Sequence, residues 1–274
     1  DCSLVIMMFC SFFFLQAEDG IRDLVRSRGL GDVYKRQIFS SPCNPTGTVY
    51  TKDELLALAE VIRKYENLYV ISDEIYEHIN FTSAHASMAQ FDFIYDRVIT
   101  VNGLSKAFAM TGWRLGYIGA PQWIAKACDK IQGQFTSATC SITQRAAIEA
   151  LNGDLSAADE MKKAFIRRRD LVYGLLKNIK GLKFNLPQGA FYFFPDVSNY
   201  FGKRYNDTII ENADDLAMYL LNEGNISVVT GSAFGDKNCI RFSYATSDEK
   251  LVEAMRRMEI ALEKLIAHQT TPAL

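Results

Sequence analysis

Two short apolar segments, residues 68–72 and 97–101, constrain the fold of this chain more than any other feature. Both are too short for a typical helix and rich in branched side chains, so each predicts a buried strand. The region before the first segment has the spacing of an amphipathic helix. Its start is marked by Thr51 and Glu54, which have the spacing of a capping box. Strands separated by helices predict right-handed βαβ units and therefore an α/β fold with a doubly wound, mainly parallel sheet.

The same reasoning places the remaining elements. The first helix is predicted to bury one face, formed by Leu55, Leu58, Ile62 and Tyr65. Further strands are predicted at residues 38–41 and 115–120, and helices at 121–132 and 156–179, with Gly181 as the cap of the second helix. After this long helix the pattern changes to strands at 189–194, 226–229 and 240–243 and helices at 214–222 and 247–268. We therefore expect a smaller α+β domain after the parallel one.

Composition excludes several classes of protein. The 274 residues carry 30 basic and 32 acidic side chains, a net charge of −2, which argues against a nucleic-acid partner. Hydrophobic residues make up 49%, as in ordinary globular proteins. The six cysteines and three histidines have no metal-ligand or triad spacing, so no metal site is predicted. No membrane partner and no disulfide framework are expected either, and the predicted location is the cytoplasm.

Residues 1–37 differ from the rest of the chain. Residues 4–15 are almost entirely apolar but too short to span a bilayer, and residues 16–37 show neither helical nor strand periodicity. This segment resembles translated sequencing-adaptor read-through, and we interpret it as non-native. The predicted domains are therefore a foreign segment at 1–37, a partial large domain at 38–154, and a connecting helix with a small domain at 155–274.

Polar side chains follow the predicted strands where these end. Asn44 follows the first strand, Asp73 closes the next with Tyr76 three residues later, and Lys106 follows another, with Arg114 further along. Taken singly, Asp73 and Tyr76 are more typical of a strand cap and a packing aromatic, Lys106 of a surface lysine, and the Asn44 loop of an ordinary turn. Because ligands bind at the carboxyl ends of strands in open α/β sheets, we expect the five to converge there.

This combination suits pyridoxal phosphate (PLP). A lysine amine forms a Schiff base with the cofactor's aldehyde, and a carboxylate pairs with the pyridine nitrogen. A phenol and an amide can bind the ring oxygen. A hydroxyl such as that of Ser105 and an arginine such as Arg114 can hold the phosphate.

The motifs strengthen that interpretation. The chain contains Asn-Pro-Thr-Gly at 44–47, Ser-Asp-Glu-Ile-Tyr at 72–76, Ser-Lys at 105–106 with Thr-Gly-Trp-Arg-Leu-Gly at 111–116, and Arg-Phe-Ser-Tyr-Ala at 241–245. In order and spacing these resemble the class I/II aminotransferases of PLP fold type I, from about residue 38 to the C-terminus. Within that family the chain is most similar to bacterial aspartate aminotransferases of the Ib subgroup.

The resemblance implies a role for each residue. Lys106, Asp73 and Tyr76 would be catalytic, with Lys106 holding PLP and moving the proton. Asn44, Asp73, Tyr76, Ser105, Lys106 and Arg114 would bind the cofactor. Arg241, assisted by Asn44, would bind the substrate α-carboxylate. Four further features are assigned only structural roles: packing for Trp113 and for residues 191–194, a turn at 231–235, and a solvated helix face at 167–169. The family resemblance nevertheless places residues 191–194 near the substrate entrance.

The implied activity is ping-pong transfer of an amino group between an L-amino acid and a 2-oxo acid, with aspartate and 2-oxoglutarate as the expected pair (EC 2.6.1.1). The family has a long N-terminal part that is not visible here, including a Gly-rich phosphate loop and the reader of the distal carboxylate. We therefore expect this chain alone to be inactive and the intact protein to be a homodimer. The alternatives are an aromatic or broad-specificity aminotransferase, a C–S β-lyase, and a non-catalytic PLP-fold binding protein.

Overall fold

A five-stranded sheet forms the first half of the computed structural model, which describes residues 2–7, 35–82 and 84–267. Its strands are β1 (Cys2–Met7), β2 (Lys35–Ser40), β3 (Leu68–Asp73), β4 (Val98–Gly103) and β5 (Gly116–Pro121). They lie in the order β1-β5-β4-β3-β2. The three strands β2, β3 and β4 are parallel, and β5 runs antiparallel to both of its neighbours. The predicted α/β fold with a mainly parallel sheet is confirmed.

The segment at 1–37 is only partly described. Strand β1 lies within it, and β2 begins at Lys35, before the predicted junction at residue 37. Most of the segment lies outside the described residues. Its foreign origin, and the domain limits drawn from it, stay predictions.

The first helix, α1 (Lys52–Arg63), confirms the predicted capping box: Thr51 Oγ1 accepts from the Glu54 N–H at 3.3 Å, and the Glu54 carboxylate accepts from the Thr51 N–H at 2.8 Å. The predicted apolar face is wrong at two positions. Leu55 and Ile62 are buried together with Ala59, but Leu58 is 38% and Tyr65 59% exposed. At 100° per residue, Leu58 lies at the edge of the stripe that the other three define, while Tyr65 lies beyond the end of α1.

The connections around β5 also differ from the prediction. Between β4 and β5 the helical structure is limited to a short 3₁₀ turn at Thr111–Trp113. A parallel strand would need a helical crossover here, and because there is none, β5 runs antiparallel to β4. Pro121 caps α2 (Gln122–Phe135) rather than occupying its first turn. A further helix, α3 (Ser141–Asn152), was not predicted.

The second half is built from helices and short antiparallel strands. The helices are α4 (Ser156–Leu176), α5 (Ala213–Gly224) and α6 (Asp248–Glu263). The strands are β6 (Tyr192–Phe193), β7 (Lys203–Tyr205), β8 (Thr208–Ile209), β9 (Val229–Thr230), β10 (Ile240–Ser243) and β11 (Ile266–Ala267). They form two three-stranded sheets, β6-β10-β9 and β11-β7-β8. The predicted α+β pattern is confirmed, with β10 at its predicted limits.

Two details of this half correct the sequence analysis. Helix α4 ends at Leu176 with Lys177 as its cap, and Gly181 lies beyond the end in a left-handed turn with φ +96°. The run at 167–169 is not a uniformly solvated face. The Arg169 side chain is only 14% exposed, because it lies over the Phe81 ring and donates to the Pro187 carbonyl.

The largest hydrophobic core joins the two halves next to the strand ends. Tyr76 and Ile79, which follow β3, pack with buried residues of the second half, among them Phe193 and Tyr244. A separate core under α1 and β3 contains Leu55, Ile62, Val70, Met88 and Ile94. The segment after β3 is therefore held by the second half of the chain, which brings that half against the carboxyl edge of the sheet.

Candidate active site

The loop that carries Asn44 is anchored to the segment before β6. Gly47 has φ +69°, and its carbonyl accepts from the N–H groups of Gln188 and Gly189 at 2.8 and 2.9 Å. A β-carbon at Gly47 would lie 2.6 Å from the Pro187 β-carbon, so both the conformation and the close approach require glycine. Asn44 Oδ1 accepts from Arg241 Nη1 at 2.7 Å. The loop thus brings together two predicted residues that lie far apart in sequence.

A cavity of about 250 Å³ lies where β3 and β4 end, and four of the predicted cofactor residues line it: Asp73, Ser105, Lys106 and Arg114. Asp73 is the last residue of β3, while Ser105 and Lys106 lie two and three residues after the end of β4, a parallel neighbour. The parallel register explains the convergence, because it places both carboxyl ends at the same edge.

Burial shifts the two titratable side chains of this cavity in opposite directions. Burial raises the pKa of Asp73, and the neighbouring Glu74 charge adds to this, while the Ile75 N–H and Lys106 oppose it. Burial also lowers the pKa of Lys106, helped by the positive charges of Arg241 and Arg114 and opposed by Asp73. Each shift favours the neutral form, as desolvation predicts. A lysine with a lowered pKa is a better nucleophile near neutral pH.

Tyr76 lies beside this cavity and is almost fully buried. The Lys106 ammonium lies 5.8 Å from the centre of the Tyr76 ring and 5.9 Å from that of Phe191. The Tyr76 hydroxyl is 2.9 Å from the hydroxyl of Tyr192. Burial and the contact with Tyr192 raise the pKa of Tyr76, so the phenol stays protonated.

Arg241 projects from β10 and contacts two aromatic rings. Its guanidinium carbon lies 4.5 Å from the centre of the Tyr192 ring and 4.7 Å from that of Phe234. Sequence reasoning assigned residues 191–194 to packing and residues 231–235 to a turn, and so did not predict these contacts. The available signal for residues 191–194 was the family resemblance, which places this cluster near the substrate entrance. The assignment of Trp113 to packing is wrong, since this side chain is 46% exposed.

Arg114 is held by its own turn rather than by a strand. It adopts a left-handed conformation with φ 55°, and Nη1 donates to the Thr111 carbonyl at 2.9 Å. The Thr111 hydroxyl in turn donates to the Ser105 carbonyl at 3.0 Å. These bonds tie the turn to the two predicted phosphate ligands.

A second missed feature is a buried polar network behind Asp73. The Glu74 carboxylate accepts from the hydroxyls of Ser72 at 2.9 Å and Ser87 at 2.6 Å, and it lies 2.9 Å from Nε2 of His85. Ligand atoms of Glu74, Glu77 and His85 lie within 4.8 Å of one another, a spacing that a cation could bridge. Because both Glu74 oxygens already have hydrogen-bond partners, we interpret the group as a hydrogen-bond network.

The Asn102 side chain connects this region with the cavity. Asn102 lines the cavity, and its amide donates to Glu77 Oε1 at 2.8 Å. His78 lies 3.2 Å from the same oxygen, and this contact raises the pKa of His78.

Among the residues that the structure describes, no helix has the length and apolar character needed to cross a membrane.

Comparison with known proteins agrees with this geometry. The family profile described as aminotransferase class I and II matches residues 20–258, a range that begins inside the segment predicted to be foreign. A bifunctional aspartate aminotransferase and glutamate/aspartate-prephenate aminotransferase of Petunia hybrida is 47% identical over 232 residues, or 82% of this chain and 48% of its own length. A probable aspartate/prephenate aminotransferase of Rhizobium leguminosarum bv. phaseoli is 45% identical over 232 residues, or 81% and 56% of the two lengths.

Solved structures show the same likeness. An aspartate aminotransferase from Rhizobium meliloti matches with a TM-score of 0.81 and 39% identity, covering 85% of this chain and 59% of that one. An aromatic aminotransferase from Pyrococcus horikoshii OT3 matches with a TM-score of 0.76 and 42% identity, covering 84% and 60%. The chain thus spans about half the length of the curated relatives quoted above. It belongs to the class I and II aminotransferase family, whose members use pyridoxal phosphate.

Proposed function

We propose that the whole protein is an aminotransferase that moves an amino group between an L-amino acid and a 2-oxo acid. The observation that carries this proposal is the convergence of Lys106 and Asp73 in one cavity at the ends of parallel strands. The clamp formed by Arg241 and Asn44 supports it, because a guanidinium and an amide suit a substrate carboxylate. Family membership makes the same activity the expected one.

The residues present fit PLP. Asp73 is a partly buried carboxylate whose raised pKa reflects incomplete compensation of its desolvation, and a cationic ring nitrogen would add to that compensation. Ser105 and Arg114 line the same cavity and offer a hydroxyl and a guanidinium to a phosphate. Lys106 lies in the same cavity with a lowered pKa, as an amine that attacks an aldehyde requires.

Bound PLP supplies an aldehyde that accepts the amino group and a ring that withdraws electrons. The chain's own residues do the rest. Lys106 would hold the cofactor and then carry a proton to and from the substrate Cα. Asp73 would keep the ring nitrogen protonated, and Tyr76 and Asn44 would donate hydrogen bonds to the ring oxygen. Arg241 would orient the substrate through its α-carboxylate.

Aspartate and 2-oxoglutarate are the proposed substrates. The names of the Petunia and Rhizobium relatives support aspartate as the amino donor. The choice of 2-oxoglutarate as acceptor rests on the resemblance to aspartate aminotransferases. A second candidate is an aromatic amino acid, which the name of the Pyrococcus horikoshii structure favours. A C–S β-lyase and a non-catalytic binding protein have no comparable observation in their favour. Product analysis separates these cases: aspartate would yield oxaloacetate, whereas a thio-amino acid cleaved by a lyase would yield pyruvate and ammonia.

Reduction with borohydride is the sharpest test of the cofactor site. In the whole protein incubated with PLP, borohydride should attach the cofactor to Lys106, as peptide mapping would show. Lys106→Ala should abolish the adduct, while Lys126→Ala, at an exposed position on α2, should leave it intact. An adduct on other lysines alone would refute the assignment.

We further propose that the whole protein is a cytoplasmic homodimer and that the 274-residue chain alone is inactive. The short span relative to the curated relatives supports inactivity. The domain limits at 37 and 154 belong to the same proposal. Turnover by the isolated chain at the rate of the whole protein would contradict it.

A further inference from the structure

The aromatic contacts of Arg241 suggest a role that the cofactor and substrate assignments leave open. A guanidinium attracts aromatic ring faces, and such contacts strengthen where water is excluded. Tyr192 is 7% exposed, and both it and Phe234 lie within 5 Å of the Arg241 guanidinium carbon. Together with the bond to Asn44, these contacts restrict a side chain that otherwise has many rotamers. Because Arg241 is already restricted before binding, a carboxylate ligand has a smaller entropic cost of ordering this side chain to overcome.

Tyr192 has a second partner, which distinguishes it from Phe234. Its hydroxyl is 2.9 Å from that of Tyr76, which is only 3% exposed. Two buried phenols that satisfy one another are costly to separate, because each would be left without a partner. Tyr192 lies on β6, which pairs directly with the strand that carries Arg241. One side chain therefore contacts both the carboxylate clamp and a residue of the cofactor site.

Phe234 is placed by the turn at Gly231–Phe234, which is fixed from two sides. The Gly231 N–H donates to the Cys239 carbonyl at 2.7 Å, and a β-carbon at Gly231 would collide with the carbonyl oxygens of Asp236 and Cys239. On the other side, the Ser232 hydroxyl donates to Asp214 in the first turn of α5 at 2.8 Å. The turn thus has the rigidity that a positioning element needs.

We propose that Tyr192 and Phe234 are positioning residues for Arg241 and that Tyr192 also couples Arg241 to Tyr76. This inference rests on the proposed function, in which Arg241 binds the substrate carboxylate. The two roles can be tested separately, because different groups of the side chains perform them. The Phe234 ring acts on carboxylate binding alone, the Tyr192 ring acts on carboxylate binding, and the Tyr192 hydroxyl acts on Tyr76 and through it on the cofactor.

The test uses the whole protein loaded with PLP and two readouts: the dissociation constant of succinate, and the pH midpoint of the bound cofactor's visible absorbance. Phe234→Leu should weaken succinate binding by about tenfold and leave the midpoint unchanged, since one cation–π contact is lost. Tyr192→Phe removes only the hydroxyl that contacts Tyr76, so it should shift the pH midpoint. Because the ring remains against Arg241, succinate affinity should change less than about threefold. Tyr192→Leu should change both. Phe234→Tyr keeps an aromatic ring at this position, so this variant should bind succinate as tightly as the unsubstituted protein.

Unchanged succinate affinity in both leucine variants would overturn the positioning role, and an unchanged midpoint in Tyr192→Phe would overturn the coupling. Failure of the proposed function is distinguishable, because the unsubstituted protein would then show no borohydride adduct on Lys106. A double-mutant cycle in the 274-residue chain tests the contact independently of any ligand. The unfolding midpoint of the double variant Arg241→Leu/Phe234→Leu should decrease by less than the sum of the decreases in the two single variants. Additive decreases would contradict the contact.

Discussion

At the level of single residues, Asp73 and Lys106 illustrate how burial prepares a site for chemistry. Each side chain is ordinarily charged at neutral pH, and desolvation shifts each towards its neutral form. For Asp73 the Ile75 N–H and Lys106 offset only part of the effect of burial, and a bound cation would offset more of it. For Lys106 the same effect exposes a lone pair that can attack a carbonyl carbon. The two residues therefore lend themselves to separate measurements.

Lys106 should react with acetic anhydride at a lower pH than the other lysines. Its half-labelling pH should fall below the usual 10.5, because burial and the charges of Arg241 and Arg114 disfavour the ammonium. Lys163 is the internal control, since its exposed contact with Glu160 raises its pKa. Arg241→Leu should move the Lys106 value upwards. The measurement is competitive labelling with peptide mapping, and an unshifted Lys106 would contradict the electrostatic argument.

Asp73→Asn should stabilise the chain at neutral pH while abolishing PLP retention by the whole protein. Because the folded pKa of Asp73 lies above its unfolded value of 3.8, stability falls as the pH rises through the interval between them and stays lower above it. Asparagine removes this cost, on the order of 1 kcal/mol, and its oxygen can still accept from the Ile75 N–H. Urea unfolding at pH 7 and pH 3 checks this. The gain should vanish at pH 3, and Asp96→Asn, at a highly exposed position, should show none.

Glu74→Gln should destabilise the chain by about 2–3 kcal/mol, because a buried carboxylate with three hydrogen-bond partners loses acceptor capacity. Glu60→Gln is the matched control: its pairing with Arg63 is exposed on both sides, so its loss should be within error. Both are measured by urea unfolding at pH 7. Equal effects of the two substitutions would show that the network behind Asp73 contributes no special stability.

At the level of elements, glycines at two sites should respond in opposite ways to the same substitution. Gly47→Ala should cost about 1–3 kcal/mol, because φ is +69° and the added carbon meets Pro187. Gly133→Ala should stabilise the chain by about 0.5–1 kcal/mol, since Gly133 lies inside α2 with no atom within 4 Å of the added carbon. Thermal unfolding measures both. A neutral Gly47→Ala would mean that the Asn44 loop does not depend on its contact with residues 187–189.

Local patterns predicted the elements better than they predicted the contacts between them. The capping box at Thr51 and the limits of β10 followed from neighbouring residues, and the strand-end positions of Asp73 and Lys106 followed from a general rule of α/β sheets. The missed contacts are non-local. Tyr76 and Tyr192 are 116 positions apart, and no periodicity relates them. Helix α3 was missed because its buried face is formed by the small residues Thr143 and Ala147, so no row of large apolar side chains marks it in the sequence.

At the level of the whole molecule, the chain exposes large apolar side chains on α2 and α3. Phe135 is 84% exposed, Ile142 71% and Trp123 60%. Scattered exposed apolar residues are normal, but several large ones on two successive helices indicate a surface that favours contact with other apolar groups. The start of α3 lies beside Arg114, since Thr143 and the cap residue Cys140 line one cavity with it.

The 274-residue chain should therefore bind an apolar dye and self-associate as its concentration rises. The double substitution Phe135→Ser with Ile142→Ser removes the two most exposed of these side chains and should reduce both effects without lowering the unfolding midpoint, because neither residue is buried. Leu186→Ser, at a single exposed leucine elsewhere, is the control and should change neither. Dye fluorescence and light scattering across a dilution series provide the measurement. If the double variant associates as strongly as the unsubstituted chain, the apolar surface of α2 and α3 is not the cause.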